Sequence, residues 1–349
     1  DSYLDRQHHS QNDTLRFIFF LSLPFITIIF YYHFFEKKFF ENIKKLIFQT
    51  EKTSFEIQNK LKFFFFITLS IIIFEFFLID FENLNHHIDI FHEGLWLTPS
   101  SNARLTGDFW QSTYIARGFF GNFYPYLFWK IFGIETIGLT RFVDLFFILL
   151  NKILILLITY RITLIIDLEK NQKILFYLIL SLSLLTFTSY MSPIFFLRSF
   201  LLLLFSVLIL NFFIADKKKI NLFLIGCLSS LSMFWYIDIG IYINVILIIA
   251  LFFFIIRKEF KNFLILLFAI IFGWLIIYLK FPANEWSLFL QNLKLIIMTI
   301  DYIHGLIFPT PFLSQDTRST KAMLLFLITG FLILRGINDL NDKDAKFIF

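Results

Sequence analysis

Residues 86–94, "HHIDIFHEG", place Asp89, His92 and Glu93 within one helical turn of each other. On a helix, Asp89 shares a face with His92 at i+3 and with Glu93 at i+4. On an extended segment Asp89 and Glu93 still share a side, because their separation is even. Either geometry brings two carboxylates together, and like charges at that spacing need a proton, a metal ion or a cation such as Arg104 or Arg117 between them. The chemistry this offers is proton abstraction by a carboxylate, with His92 as a neighbouring acid–base group. A D-x-x-H-E set also suits a divalent ion such as Mg or Mn, although the sequence shows no third or fourth ligand. His86 and His87 are adjacent and point in different directions, which disfavours a metal site built from them alone. Gly94 is expected to stop or turn the segment. For any one of these residues the simpler reading is a solvated acidic turn.

The elements that must hold this stretch are apolar. Hydrophobic residues make up 58% of the 349 and charged residues 16%, against about a quarter charged in an ordinary soluble domain. Continuous apolar runs of membrane-spanning length, without alternation, predict an all-α, polytopic helical membrane protein rather than a barrel. Nine spans are expected, at about 15–35, 63–80, 142–160, 174–191, 194–214, 220–237, 240–256, 262–279 and 322–336. The alternate connecting segments "EKKFFENIKKLIFQTEKTSFEIQNKLK", "YRITLIIDLEKNQK", "ADKKK", "RKEFKN" and "RGINDLNDKDAK" hold 19 of the 31 Lys and Arg residues. Basic loops stay in the cytoplasm, so residues 81–141 and 280–321 become two long loops on the outer face. The expectation is one integral membrane domain over 1–349, in a bacterial inner membrane with its site facing the periplasm. The basic runs are topology signals and lipid contacts, and nucleic acid is not an expected partner. Asp1 is not an initiator methionine, so a fragment or a processed form is expected. The single cysteine, Cys227, excludes an internal disulfide.

Further polar residues fall on the same expected face. Residues 109–132 carry eleven aromatics interleaved with Gly and Pro, which suits the headgroup level, either as an anchor or as a platform for a lipid-linked substrate. Arg198 lies one turn into a span and faces protein, a water-filled cavity or the surface. Asp238 is placed to cap the following helix. In the interfacial segment 285–304, Asp301 and His304 are one turn apart. Arg318 and Lys321 either grip a lipid phosphate or mark the water boundary. Within the bilayer, Glu75, Asp144 and Lys152 read as buried structural pairing.

Taken in order, "DIFHEGLWLTP…NARLTGDFW…YIARGFFGNFYPYLFWKIFGIETIGLTR" resembles the first external loop of GT-C-type membrane glycosyltransferases, and "SMFWYIDIGIYIN" is similar to a segment at the outer end of one of their middle spans. The resemblance covers roughly residues 63–336. It implies transfer of a sugar from a polyprenyl-phosphate donor to an acceptor hydroxyl on a glycan, lipid or protein, with inversion at the anomeric carbon. Asp89 takes the place of the family's external-loop acid, with Glu93 as the rival. Arg104, Arg117, Arg198 and Arg318 are the cations available to the phosphate, and Asp238 and His304 are further substrate-binding candidates. The chain departs from the pattern in its D-x-x-x-E spacing, where many members have adjacent acids, and in an additional span before the loop.

Two other classes fit the same composition. A transporter or flippase for an amphiphilic substrate needs polar residues along a path through the bilayer, whereas most charges here lie at the rims. A non-catalytic assembly subunit would use the outer loops as partner surfaces.

Overall fold

A computed structural model describes residues 55–78, 84, 87–88, 93–110, 118–165, 169–189, 193–214, 218–281, 283–304 and 323–330. These residues are overwhelmingly helical and contain no strand. Ten helices follow in chain order: α1 (Phe55–Phe77), α2 (Gly94–Thr106), α3 (Phe119–Phe132), α4 (Ile137–Ile165), α5 (Lys170–Ser189), α6 (Pro193–Ile214), α7 (Lys218–Trp235), α8 (Ile237–Ile256), α9 (Phe260–Lys280) and α10 (Ala283–His304). The chain falls into two compact units, one of residues 49–293 and one of 1–48 with 294–349. In the second, the described parts are the end of α10 and a helical run at 323–330.

Among the described residues three helices, α4, α8 and α9, are long and apolar enough to cross a membrane, and α5 and α6 hold shorter apolar stretches. Their environment agrees with their composition. Within the apolar windows, 39% of α4, 28% of α8 and 17% of α9 is buried inside the protein. The remainder, including Ile248, Phe252, Leu264 and Phe268, points outward. Apolar surface on this scale is stable against lipid and not against water. The chain is a helical membrane protein.

Helix ends fall close to seven of the expected spans, from α1 through α9 excepting α2 and α3. The expected span at 15–35 lies outside the described residues, and only 323–330 of the last one is described. Gly94 differs from expectation: it opens α2 instead of ending a segment. Glu93, in αR conformation, already belongs to the helical path, and its carbonyl accepts from the N–H groups of Trp96 and Leu97.

In the larger unit α7 is central and packs on α6, α8 and α9, while α4 packs on α1, α5 and α6. Lipid offers little hydrophobic drive for such contacts, so close approach and polar bonds carry them. At Gly226 the approach is close: a Cβ there would meet the Ala269 Cβ at 2.5 Å. A buried polar network ties α7, α8 and α9 together. The Trp274 indole donates to Ser229 Oγ at 2.9 Å, and the Asn244 amide donates to the Ser229 and Gly240 carbonyls at 3.0 and 2.8 Å.

Helices α2 and α3 pack on each other, and α3 reaches α4 and the turn between α7 and α8. The aromatics of 109–132 are largely internal here. Phe123 and Tyr124 are fully buried, and Phe120 stacks on Trp235 with ring centres 3.6 Å apart. The Trp235 indole in turn donates to the Leu197 carbonyl at 2.8 Å. Glycine permits this approach. Gly118 sits at φ 121° with the Trp235 carbonyl 3.0 Å from where its Cβ would stand, and Gly121 lies against the Tyr236 ring.

Candidate functional site

The segment before α2 is held by a residue 48 positions further on. Arg141, in the second turn of α4, donates from Nε to Glu93 Oε1 at 2.7 Å and from Nη2 to Oε2 at 2.9 Å. It also donates from Nη1 to the Leu84 carbonyl and from Nη2 to the His87 carbonyl at 3.3 Å. Side-chain exposure is 8% for Arg141 and 12% for Glu93, so the fork-to-fork pair is shielded from water. Removing one partner of such a pair leaves an uncompensated charge and costs about 3–5 kcal/mol. One guanidinium therefore fixes residues 84, 87 and 93 to the head of a long span.

Helix α3 supplies the rest of the wall. The Asn122 side chain donates to the Leu95 carbonyl at 3.2 Å, and Ser100 Oγ donates to the Asn122 carbonyl at 3.2 Å. Tyr124, two residues on, donates from its hydroxyl to Asp144 Oδ2 at 3.2 Å. Burial first, and then the Asp144 carboxylate, push the Tyr124 phenol well above its ordinary value, so it keeps its proton and acts as donor. Asp144 follows Arg141 by three residues on α4. Lys152 binds Glu75 at 2.7 Å across α1 and α4, but the Glu75 side chain is 58% exposed, so the pair is not buried as expected. Asp144 takes Tyr124 instead.

The other candidates fall in separate places. Arg104 pairs with Glu135, both substantially exposed. Arg198 and Asp238 pair with each other: Nε donates to Asp238 Oδ2 at 2.7 Å, and Nη2 donates to the same oxygen. Asp238 lies in the first turn of α8, but Tyr236 is the N-cap residue and no side-chain cap bond forms. Its charge answers Arg198 rather than the helix end. His304 closes α10. Asp89, His92, Arg117 and Arg318, with His86, lie outside the described residues. Among the described residues no three His, Cys, Asp or Glu side chains converge as a divalent ion would require. Of the expected D-x-x-H-E set, only Glu93 is described, and Arg141 engages both its oxygens.

A second polar feature was not legible in the sequence. Glu285, in the first turn of α10, is 6% exposed, and the Trp110 backbone N–H donates to its carboxylate. Glu285 Oε2 and the Trp110 indole Nε1 are buried without a hydrogen-bond partner. Around them pack Phe119, Phe281 and Phe289, with ring centres 5.2–5.5 Å from Trp110. Burial, with Asp108 contributing, raises the Glu285 carboxyl above its ordinary range. Arg141 closes the stretch quoted for the resemblance but carried no assigned role there, and Tyr124, one tyrosine among eleven aromatics, reads as packing.

Comparison with protein-family models, with curated proteins and with solved structures finds no match.

Proposed function

We propose that this protein is a membrane glycosyltransferase acting on the outer face of a bacterial inner membrane, with nine spans and with α2, α3 and α10 as interfacial helices. The observation that carries the reading is the Arg141 clamp. It grips the chain at Leu84, His87 and Glu93, on both sides of Asp89, and anchors that segment to the first turns of α4. A catalytic carboxylate needs a fixed place, because misplacement by about 1 Å costs on the order of 100-fold in rate.

In this reading Asp89 accepts the proton of the acceptor hydroxyl, and the oxygen attacks the anomeric carbon from the face opposite the leaving group. The bond from that carbon to the phosphate oxygen breaks, and polyprenyl phosphate departs as an anion. It therefore needs no general acid, unlike the alcohol leaving group of a glycosidase. Glu93 is then a positioning residue: its oxygens are engaged by Arg141, so it serves to hold the segment and not to take the proton. In this reading the phosphate charge is met by Arg117, or by Arg104 once the phosphate displaces Glu135.

The test uses the protein in proteoliposomes with a polyprenyl-phosphate-linked sugar. Asp89→Asn should abolish transfer while insertion and folding persist, and Glu93→Gln should lower kcat by about 10- to 100-fold. Normal turnover by both variants removes the proposed base. Donor crossing the bilayer chemically unchanged would make the protein a flippase instead.

A further inference from the structure

We infer that Asp144 and Tyr124 form an acceptor-binding pair for neighbouring hydroxyls, so that the acceptor ends in a carbohydrate rather than in a plain lipid alcohol. The inference rests on the transferase reading and names one of its two substrates. Asp144 is the carboxylate of this region that has no cation of its own. Lys152, two turns along the same helix, is held by Glu75. The nitrogens of Arg141, one turn back, are used on Glu93 and on the carbonyls of Leu84 and His87. What Asp144 receives is one hydrogen bond at 3.2 Å, long for an O–H donor, from Tyr124.

An ionisable group among apolar spans without a counter-charge is costly, and such groups line substrate sites or water-filled cavities. Asp144 is half-buried, whereas Tyr124 is 1% exposed and fixed. A carboxylate has about four lone-pair positions, and the phenol uses one. Having donated its proton, the phenol oxygen can only accept. Asp144 thus offers acceptors and no donor, with the buried Tyr124 phenol holding it in place, which suits a ligand with several adjacent O–H groups.

Binding is measured without turnover, on the full chain in lipid nanodiscs, by the fluorescence of the tryptophans, of which Trp96 lies 6.1 Å from the Tyr124 ring. The probes are hexyl glucoside, hexyl galactoside and hexyl mannoside, with 1-hexanol and hexylamine as comparators. At least one glycoside should bind saturably and more tightly than 1-hexanol. Asp144→Asn should weaken it by about tenfold or more, and Tyr124→Phe by a few-fold. If Asp144→Asn fails to fold, Tyr124→Phe, which keeps the ring, decides alone. Equal binding of 1-hexanol, tighter binding of hexylamine, no saturable binding at all, or unchanged affinity in the variants overturns the pair. If glycoside binding depends on Asp144 but no sugar is ever transferred, the transferase reading fails and the pair stands. If Asp144→Asn transfers sugar with an unchanged acceptor KM, the pair fails and the transferase reading stands.

Discussion

Glu93 and Glu285 both sit at the start of a helix, yet their surroundings treat them in opposite ways. Glu93 meets a guanidinium that satisfies both oxygens, whereas Glu285 keeps one oxygen bare inside an aromatic cluster. Burial raises the Glu285 carboxyl above its ordinary value of 4.5, outweighing the Trp110 N–H that favours the ionised form. A raised carboxyl means that the folded chain holds a proton which the unfolded chain gives up as pH rises through 4.5. Stability from this group is therefore full at low pH and falls as pH rises toward the folded value. Glu285→Gln keeps the acceptor for Trp110 and removes the titration. It should melt above the parent at about pH 8 and level with it at about pH 4, and an equal gap at both would show that the group does not titrate in this window. Neither glutamate's partner was legible in the sequence, because Arg141 lies 48 residues from Glu93 and Trp110 is 175 positions from Glu285. Periodicity reports neighbours on one helix and is silent on such pairings.

Helices were legible where a single apolar run specifies them, and not where a contact between runs does. The expected span at 262–279 became α9, Phe260–Lys280, since its length and hydrophobicity are local properties. The small residues that let α9 approach α7 look like ordinary variation until the two are seen together. Gly226 and Ser230 are four apart on α7, Ala269 and Gly273 four apart on α9, and each pair forms a strip along its helix. A Cβ at Gly226 would also stand 3.0 Å from the Leu266 carbonyl, and one at Gly273 would stand 2.8 Å from Ser230 Oγ. Backbone atoms there cannot yield cheaply. Gly226→Leu should destabilise the protein by roughly 1–3 kcal/mol through forced separation of α7 and α9, read as an earlier thermal transition in detergent. Leu264→Ala, at an outward-facing position of α9, should stay within about 0.5 kcal/mol of the parent. Equal losses in the two would mean that α7 and α9 are not packed through this strip. The aromatic stretch 109–132 teaches the converse: read as a membrane-surface anchor or platform, its described rings, at 109–110 and 118–132, are mostly packed inside the fold. Gly118 and Gly121 let α3 approach Trp235 and Tyr236 closely enough to bury its rings.

For the whole molecule the decisive quantity is the number of times the chain crosses the bilayer between two marked points. By length and hydropathy alone, α4 and α8 cross between residues 134 and 260, an even number that returns the chain to the side it left. If α5, α6 and α7 cross as well, the number is five and the two points lie on opposite sides. The basic segments favour five, since Lys and Arg cluster in every second connection and such clusters resist translocation. Ile134 and Phe260 are both exposed and uncharged, so a cysteine at either leaves the charge pattern intact. With Cys227 replaced by serine, Ile134→Cys should react with a membrane-impermeant maleimide in intact spheroplasts, and Phe260→Cys only after permeabilisation. Labelling of both from one side would reduce the crossings to an even number and dissolve the nine-span arrangement. Labelling with the sides exchanged would keep five crossings but turn the Arg141 clamp toward the cytoplasm, where an outer-face sugar transferase has no substrate.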